Sequence, residues 1–385
     1  MSTHAGPNIV ENGLVLSLDP ANQKSYSPNM FPYSTDIFSW TQTAGVNNGT
    51  QSRDISIASP IGNSPVRLVV SGNDSHFGTY NSGAWNFASA KNGETWTVSV
   101  YVKATIPTTC QIFIFGANSA GTGFIGGSWL AITAQTHNVS TEWTRVSTSI
   151  TMANADIANI QFRLDGPDSY ISPVTLWFDG VQVEKSSSST PFNPNYYGST
   201  INDLSGNGNN GTIFGDFTFN GNTKVLHSNG VTGSYIDIPS PNLTSSNFTV
   251  ISATRYAGAS PRGRIVSGRS NNWLMGHWGS QAEKYHPVGW VTSSSGGPND
   301  ELWRIHSGTG NISLNQYSFF SNKDKLVTNS SGGSQGPNGF SIGRYGPGNS
   351  EYSNCDVSFL LAYNRILSDQ EIKQNFNALR GRYGL

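Results

Sequence analysis

The side chains best suited to ligand binding in this sequence are aromatic. Exposed aromatic rings stack on the apolar faces of sugar rings, while neighbouring Asn, Asp and Gln side chains pair with the hydroxyl groups. Two groups of aromatic residues have such neighbours and form the candidate ligand-binding set: Trp273, Trp278, Tyr285 and Trp290, and, earlier in the chain, Tyr80, Trp85 and Trp129. The alternative for each residue is core or rim packing, because the two-residue period of a strand turns many tryptophans inward in a β-sandwich.

The acidic residues do not form a catalytic pattern. Hydrolysis of a glycoside requires two carboxyl groups about 5–10 Å apart across the bond. The closest pairs, Asp165 with Asp168 and Asp300 with Glu301, occur in turn-like sequences where solvated loop acids are expected. No G-x-S-x-G elbow at a strand-to-helix turn supports a serine-based mechanism, and the 7 histidines lack the H-x-x-x-H spacing of a zinc site. The sequence therefore predicts a protein that is not an enzyme.

The overall composition is typical of a folded, turn-rich β protein. Charged residues make up only 12% of the 385 residues, Gly numbers 43, and aromatic residues reach 11%. The aromatic content argues against disorder, because a disordered chain lacks the apolar surface that offsets the entropy of ordering. The net charge is −1 and there are no basic runs, so we expect no nucleic acid among the partners and no anionic membrane.

Targeting signals and disulfides are also not expected. The first residues contain neither a basic region nor an apolar stretch of about 7–15 residues, which argues against a signal peptide. No segment approaches about 18 consecutive apolar residues, so no membrane insertion is expected. The two cysteines, Cys110 and Cys355, are expected to be buried free thiols, as in a chain that folds in a reducing cytoplasm.

Alternation of apolar and polar residues dominates two parts of the chain. Several segments between residues 95 and 184 have a two-residue period and are bounded by turn residues, which predicts half-buried strands. A second series runs from residue 224 to residue 365. Strands at short spacing without helices between them are typical of antiparallel sandwiches or jelly rolls, so we expect two β-sandwiches.

One helix is predicted near the C-terminus. Ser368 and Glu371 have the spacing of a capping box, and Gly381 is the predicted stop. An apolar stripe follows at i, i+4 and i+7: Ile372, Phe376 and Leu379. We expect this stripe to dock on the rim of a sandwich rather than to bind a partner.

Several segments resemble the laminin-G/concanavalin A-like sandwich domains of tailed-phage virion proteins, including those of cyanobacterial phages. The opening NIVENGLVLSLDPANQKSY (8–26), the segment NNWLMGHWGS…KYHPVGWV (271–291) and the tail LLAYNRILSDQEIKQNFNALRGRYGL (360–385) carry this resemblance, and the tail is its most specific part. In such domains the opening runs almost directly into a DLSGNGNNG turn, whereas here about 170 residues intervene. We interpret DLSGNGNNGTI (203–213) as a structural turn, with positive φ at its Asn-Gly pairs, where the domain resumes.

The intervening segment resembles jelly-roll modules of the carbohydrate-binding type. Its entry NMFPYSTDIFSWTQT, its strands TWTVSVYVKA and WTRVSTSITM, and its exit LWFDGVQVEKSSSSTPFNP carry the resemblance. We therefore expect an all-β chain of two antiparallel β-sandwiches plus a short C-terminal helix. Residues 1–28 and 196–385 would form a discontinuous concanavalin A-like/laminin-G-like domain, and residues 29–195 an inserted jelly roll.

The resemblance also points to a structural calcium ion. Asp179, in WFDGVQVE, matches a position that ligates such an ion in some carbohydrate-binding jelly rolls, and Asp19 and Asp203 are further acids next to turns. The sequence has no acid-rich loop with regularly spaced oxygen ligands. An N-cap or Asx-turn role is the alternative for these aspartates, and no other cofactor is expected.

The resemblance implies a non-enzymatic structural protein on a virion surface, exposed on a phage capsid or tail as a decoration or fibre-like accessory protein. Such a protein would be made in the host cytoplasm without a signal peptide and released by lysis. The expected partners are other virion proteins, further copies of this chain in a trimer, and host or environmental glycans. The alternatives are a dedicated carbohydrate-binding receptor-recognition protein of a tail fibre and a glycoside hydrolase.

Overall fold

The computed structural model describes residues 7–27, 29–31, 46–62, 64–73, 75–77, 88–167, 173–193, 199–215, 217–220 and 223–385. The chain divides into two compact units: unit 1 is Met1–Tyr26 with Ser199–Leu385, and unit 2 is Ser27–Gly198. Unit 2 therefore lies, in sequence, inside unit 1, and its ends differ by a few residues from the boundaries expected from the sequence.

The strands are short and numerous in both units. Unit 1 begins with β1 (Leu14–Leu18). Unit 2 contains β2 (Val46–Asn47), β3 (Gly49–Arg53), β4 (Val66–Val70), β5 (His76–Phe77), β6 (Ala88–Ser89), β7 (Thr95–Ala104), β8 (Thr108–Ala117), β9 (Phe124–Ile125), β10 (Ser128–Trp129), β11 (Ala131–Val139), β12 (Thr144–Thr151), β13 (Asn159–Asp165) and β14 (Val174–Glu184). Unit 1 resumes with β15 (Thr200–Ile201), β16 (Gly211–Phe214), β17 (Phe217–Asn220), β18 (Val225–Asn229), β19 (Tyr235–Asn242), β20 (Phe248–Tyr256), β21 (Val266–Gly268), β22 (Trp273–Trp278), β23 (Gln281–Pro287), β24 (Arg304–Asn311), β25 (Gln316–Ser321), β26 (Asp324–Ser330), β27 (Asn338–Ile342) and β28 (Asn354–Tyr363).

Unit 2 is a sandwich of two antiparallel sheets. A 5-stranded sheet has the order β12-β7-β14-β4-β3, and a 6-stranded sheet has the order β11-β8-β13-β5-β2, with β6 also paired to β13. One core lies between them and takes every second residue of the long strands, for example Val98, Val100 and Val102 of β7. Burial of each such aliphatic side chain contributes about 1.5–3 kcal/mol, so the alternating pattern of the sequence is what drives the two sheets together.

Unit 1 is a second sandwich. Its 7-stranded sheet has the order β15-β16-β19-β27-β21-β22-β23, and its 8-stranded sheet has the order β17-β18-β28-β20-β24-β25-β26, with β1 paired to β28. The core between the sheets is rich in aromatic side chains. The expected fold class, an all-β chain of antiparallel sandwiches with a short C-terminal helix, is confirmed.

The turn at residues 203–213 holds the first strand of unit 1 in place. The Asp203 carboxylate accepts hydrogen bonds from the backbone N–H of Ser17 (2.8 Å) and Asn209 (3.0 Å). The side-chain amides of Asn207 and Asn209 donate to the carbonyls of Leu14 and Val15, at 3.2 and 2.6 Å. The other edge of β1 pairs with β28, so the turn satisfies polar groups that an edge strand would otherwise expose.

The glycines of this turn do not all behave as the sequence predicts. Gly208 has a φ of 72°, as expected after Asn207, and Gly206 has a φ of 84°. Gly211 is not left-handed but begins β16, where an added Cβ would lie 2.9 Å from Ile201 and 3.0 Å from Ile238. At this position glycine is required by close packing rather than by turn geometry.

Helix α1 (Asp369–Leu379) docks on the outer face of the 8-stranded sheet rather than on a rim. Ser368 caps it, and the capping box with Glu371 is present as predicted. The stripe of Ile372, Phe376 and Leu379 packs in a second core against that sheet. The α-helix ends before Gly381, which lies within a 3-10 turn at Arg380–Arg382.

A buried polar residue within the apolar stripe joins this helix to the N-terminal segment. The Asn375 side chain accepts a hydrogen bond from the backbone N–H of Val10 (2.7 Å) and donates one to the Tyr363 hydroxyl (3.1 Å). Because Tyr363 in turn donates to the Val10 carbonyl at 2.9 Å, all three groups are paired away from water.

Both cysteines are free and buried, as predicted. Burial raises the pKa of the Cys110 thiol to about 12, and the nearby Asp165 adds to this effect. Within the described part of the chain, no helix has the length and apolar character needed to cross a membrane.

Candidate functional site

The 6-stranded sheet of unit 2 carries an aromatic and polar outer face. In β8, Cys110, Ile112 and Ile114 point into the core, so the residues between them point the other way. Strand β13 alternates in the same manner. The register pairs Phe115 with Gln161, Phe113 with Arg163 and Gln111 with Asp165. We name these six residues, together with Phe124 and Trp129 described next, the aromatic face.

Four rings form a continuous strip on this face. Phe113 and Phe115 lie parallel, with centroids 6.0 Å apart and an interplanar angle of 11°. The β9–β10 hairpin adds two rings, because Trp129 lies 5.0 Å from Phe115 and Phe124 lies 5.0 Å from Trp129. Phe115 is buried, Phe113 and Trp129 are partly exposed, and Phe124 is 40% exposed, so the strip reaches from the sheet to solvent.

Polar side chains beside the strip are held in fixed positions. The Arg163 guanidinium carbon lies 4.3 Å from the Phe113 ring centroid, and its Nη2 atom is 2.6 Å from the Asp165 carboxylate. The side-chain amide of Gln111 donates to the Thr136 hydroxyl (3.0 Å). The Gln161 amide donates to a backbone carbonyl at Gly121 (3.0 Å). The partly exposed rings of Phe113, Trp129 and Phe124 match the apolar faces of a sugar ring, whereas the four polar side chains are buried, each at most 9% exposed, and hold the face in position.

Of the predicted ligand-binding residues in unit 2, Trp129 lies on this face, whereas Tyr80 and Trp85 lie outside the described residues. Sequence reasoning missed Phe113 and Phe115. The signal was the strand CQIFIF, whose outward positions carry phenylalanine where a solvent-facing strand normally carries polar residues.

Asp165 is not a solvated loop acid, which corrects the expectation from its turn-like sequence. It ends β13, is 2% exposed and forms the ion pair with Arg163. Its sequence partner Asp168 lies outside the described residues. The second acidic pair does lie in a loop, where Asp300 pairs with Arg304 at 2.6 Å and Glu301 with Arg262 at 2.5 Å.

Two of the predicted ligand-binding residues in unit 1 belong to the core. Trp273 and Tyr285 are both 0% exposed, and their rings meet edge to face at 6.2 Å. Trp273 also contacts Phe248 and Phe340 edge to face. The inward side of β22 and β23 places both residues between the sheets, so neither has a free ring face for a ligand.

The other two predicted residues of unit 1 lie at its surface. Trp278 and Trp290 are partly exposed, and their ring centroids are 5.2 Å apart with an interplanar angle of 50°. His286 joins them, with its ring 4.8 Å from that of Trp290. The structure thus brings together a tryptophan that ends β22 and a tryptophan in the segment after β23.

Asp179 forms local hydrogen bonds in unit 2. It is 2% exposed, one carboxylate oxygen accepts from the Gly180 N–H (2.8 Å), and the other accepts a short hydrogen bond from the Ser59 hydroxyl. Among the described residues, no group of three or more His, Cys, Asp and Glu side chains could hold a metal ion. These contacts are those of a carboxylate that holds a strand bulge and a neighbouring loop.

Residues 39–170 match the family described as "Carbohydrate binding domain". The matched range is about a third of the chain and contains every strand that contributes to the aromatic face. No curated protein matches the chain.

Several solved structures are distantly similar. The binding domain of Paraclostridial Mosquitocidal Protein 1 is 17% identical, with 46% of this chain and 49% of that chain covered and a TM-score of 0.37. A structure described as "CBM4 structure and function" is 14% identical, with 37% and 93% covered and a TM-score of 0.26. A Family 16 Carbohydrate Binding Module-2 is 17% identical, with 36% and 89% covered and a TM-score of 0.26. The chain spans about half the length of the mosquitocidal binding domain that it matches.

Proposed function

We propose that this protein binds carbohydrate through the aromatic face of unit 2. The observation that supports the proposal is a coincidence of two independent features: the carbohydrate-binding family match at residues 39–170 covers the same strands that carry the ring strip. Exposed aromatic rings bind sugars because stacking removes the apolar faces of both rings from water.

The shape and charge of the face favour a neutral polysaccharide chain. Three rings of the strip, Phe113, Trp129 and Phe124, have exposed surface, which suits several sugar rings in a row better than one isolated ring. The Arg163 guanidinium is already neutralised by Asp165 at 2.6 Å. An acidic sugar would therefore gain little from the cation.

Binding assays with matched variants test this proposal. Trp129→Ala is expected to weaken binding of a neutral polysaccharide by a factor of about 5–30, because loss of one stacking ring costs about 1–2 kcal/mol. Trp143→Ala is the matched control: Trp143 is a partly exposed tryptophan of the same unit, next to the 5-stranded sheet, with its indole N–H bonded to Ala58. Affinity gel electrophoresis against a polysaccharide panel measures both variants. Equal binding by wild type and Trp129→Ala would contradict the proposal.

We also propose that binding occurs without cleavage. Asp165, the carboxylate of the aromatic face, holds Arg163 in place and is not available to donate a proton to a glycosidic oxygen. Incubation of the protein with each bound polysaccharide is expected to release no new reducing ends. Release that persists through purification and is lost in an Asp165→Asn variant would establish a hydrolase instead.

The setting that we propose for this binding is the surface of a phage particle, as the resemblance of the opening, Trp-rich and tail segments of unit 1 suggests. Other virion proteins and further copies of this chain would then be its partners. Mass spectrometry of purified particles tests the location, and sedimentation of the isolated protein tests the trimer. Absence from particles would leave a carbohydrate-binding protein outside the virion.

A further inference from the structure

A second aromatic cluster, in unit 1, has the features of a built binding site. It consists of Trp278, Trp290 and His286 with Asn272 and Glu351, and we name it the tryptophan platform. Its two tryptophans are tilted by 50° and form a corner, unlike the parallel phenylalanines of unit 2.

Hydrogen bonds and an ion pair hold the Trp278 side of the platform in place before any ligand arrives. The indole N–H of Trp278 donates to the Glu351 carboxylate at 3.0 Å, and Arg264 donates to the same oxygen at 2.7 Å. Arg264 also donates to the Asn272 side-chain oxygen (2.8 Å), and its guanidinium carbon lies 4.1 Å from the Tyr345 ring centroid. A side chain held in this way loses little conformational entropy on binding.

The platform presents both a hydrogen-bond donor and an acceptor. Nδ1 of His286 is 2.7 Å from the Asn272 carbonyl, which can only accept, so Nδ1 carries the proton and Nε2 is an acceptor. Burial, followed by the charge of Arg264, lowers the pKa of His286 and keeps the ring neutral. The side chain of Asn272 is exposed, and its Nδ2 donor has no protein partner among the described residues.

Three residues in or next to the platform have left-handed backbone conformations. Ser280, Val288 and Glu351 have φ values of 68°, 60° and 52°, in the left-handed region that L-residues rarely adopt. For the β-branched Val288, two residues before Trp290, this backbone conformation is especially unfavourable. Strain of this kind persists where the surrounding contacts demand one geometry, and it clusters at ligand sites.

From these features we infer that the tryptophan platform is a second carbohydrate site, separate from the aromatic face, and that its ligand is a neutral hexopyranoside. The partly exposed rings of Trp278 and Trp290 offer a stacking surface for the apolar face of such a sugar. The nearby cation, Arg264, is already paired with Glu351 at 2.7 Å, so an acidic sugar is not favoured. The donor of Asn272 and the acceptor of His286 suit hydroxyl groups, which offer both functions.

Saturation-transfer NMR of the full chain with methyl α- and β-hexopyranosides tests this inference. Binding is expected in the wild type and in Trp129→Ala, and it is expected to fall at least about tenfold in Trp290→Ala. Phe214→Ala is the matched control, because Phe214 is an exposed aromatic residue on another strand of the same sheet and is expected to leave binding unchanged.

A milder variant keeps the test valid if Trp290→Ala fails to fold. Asn272→Asp retains the oxygen that Arg264 contacts and replaces the Nδ2 donor with a charged acceptor oxygen. It is expected to weaken hexoside binding at least about fivefold with the fold intact. Binding lost in Trp129→Ala but kept in Trp290→Ala and Asn272→Asp would overturn the inference, as would absence of hexoside binding or preference for a proline-rich peptide. Each of these outcomes leaves the polysaccharide assay of unit 2 unaffected, so the two proposals fail separately.

Discussion

Two histidines show how burial changes the chemistry of single residues in unit 1. His277 and His306 are 1% and 0% exposed, and their rings meet edge to face at 5.0 Å inside the sandwich. Burial, with Arg304 as the next cause, lowers the pKa of His277 to about 3, and burial also lowers the pKa of His306 well below its ordinary value. Both rings are therefore neutral in the folded protein.

This burial predicts acid sensitivity of unit 1. The unfolded chain takes up protons at these histidines below about pH 6.5 while the folded chain does not, so the stability is fully present above that pH. It is lost as the pH falls from about 6.5 toward 3, by about 1.4 kcal/mol per pH unit for each histidine. The double variant His277→Phe and His306→Leu is expected to flatten this decline.

Urea denaturation at pH 5, 7 and 8 measures the effect. Between pH 7 and pH 8 the wild type and the double variant should behave alike, which is the internal control, and between pH 7 and pH 5 the wild type should lose about 2 kcal/mol more for each histidine. If the unfolding free energies of the wild type and the double variant change in parallel over the whole pH range, the two rings are protonated in the folded state.

At the scale of elements, β1 depends on a turn that lies beside it in the fold although the two are 186 residues apart in the chain. Asp203 accepts from Ser17, Ser205 and Asn209, and its carboxylate is partly buried beneath these donors. Asp203→Ala would leave the Ser17 N–H without its acceptor on an edge strand, and we expect unit 1 to lose about 2–3 kcal/mol of unfolding free energy.

The control for this variant is Asp324→Ala, which removes an exposed carboxylate from β26 and is expected to change stability by no more than about 0.5 kcal/mol. Thermal denaturation followed by circular dichroism compares the two. If both variants have the same melting temperature as the wild type, the turn does not stabilise β1.

At the scale of the whole molecule, the chain leaves and re-enters unit 1 at neighbouring points. The Asn202 N–H donates to the Ser25 carbonyl at 2.6 Å, and the Ser25 hydroxyl donates to the Asn202 carbonyl at 2.7 Å. The ends of unit 2 also meet, because the Asn29 side chain donates to the Asn193 carbonyl at 3.1 Å. Adjacent ends allow one sandwich to interrupt another without distorting either.

Excision of unit 2 is therefore expected to leave unit 1 folded. A chain in which a short Gly-Ser linker replaces residues 27–198 should give the amide NMR dispersion of a folded β protein and should keep hexoside binding at the tryptophan platform. The excised segment, residues 27–198 expressed by itself, should keep the polysaccharide binding of the aromatic face. Collapse of the shortened chain into aggregates would show that unit 1 requires unit 2 to fold.

The sequence alone was sufficient for features with a local cause. The capping box of Ser368 and Glu371 and most long strands, such as β7 and β14, follow from spacing and alternation within one segment. Strand β11 (AITAQTHNV) was missed, because its residues are mostly exposed or partly exposed and only Val139 is buried, so they lack a clear apolar period.

Only the tertiary structure decided which face of each strand points into the core and which face is exposed as a candidate binding site. Alternation shows that Trp273 and Leu274 face opposite ways, but only the second sheet determines that Trp273 is inside. It is also only the register of β8 against β13 that sets Phe113 beside Arg163, and only the path of the chain after β23 that brings Trp290 to Trp278. The physical reason is that the two-residue period is a property of the strand, whereas the choice between core and solvent depends on what packs against it from elsewhere in the chain.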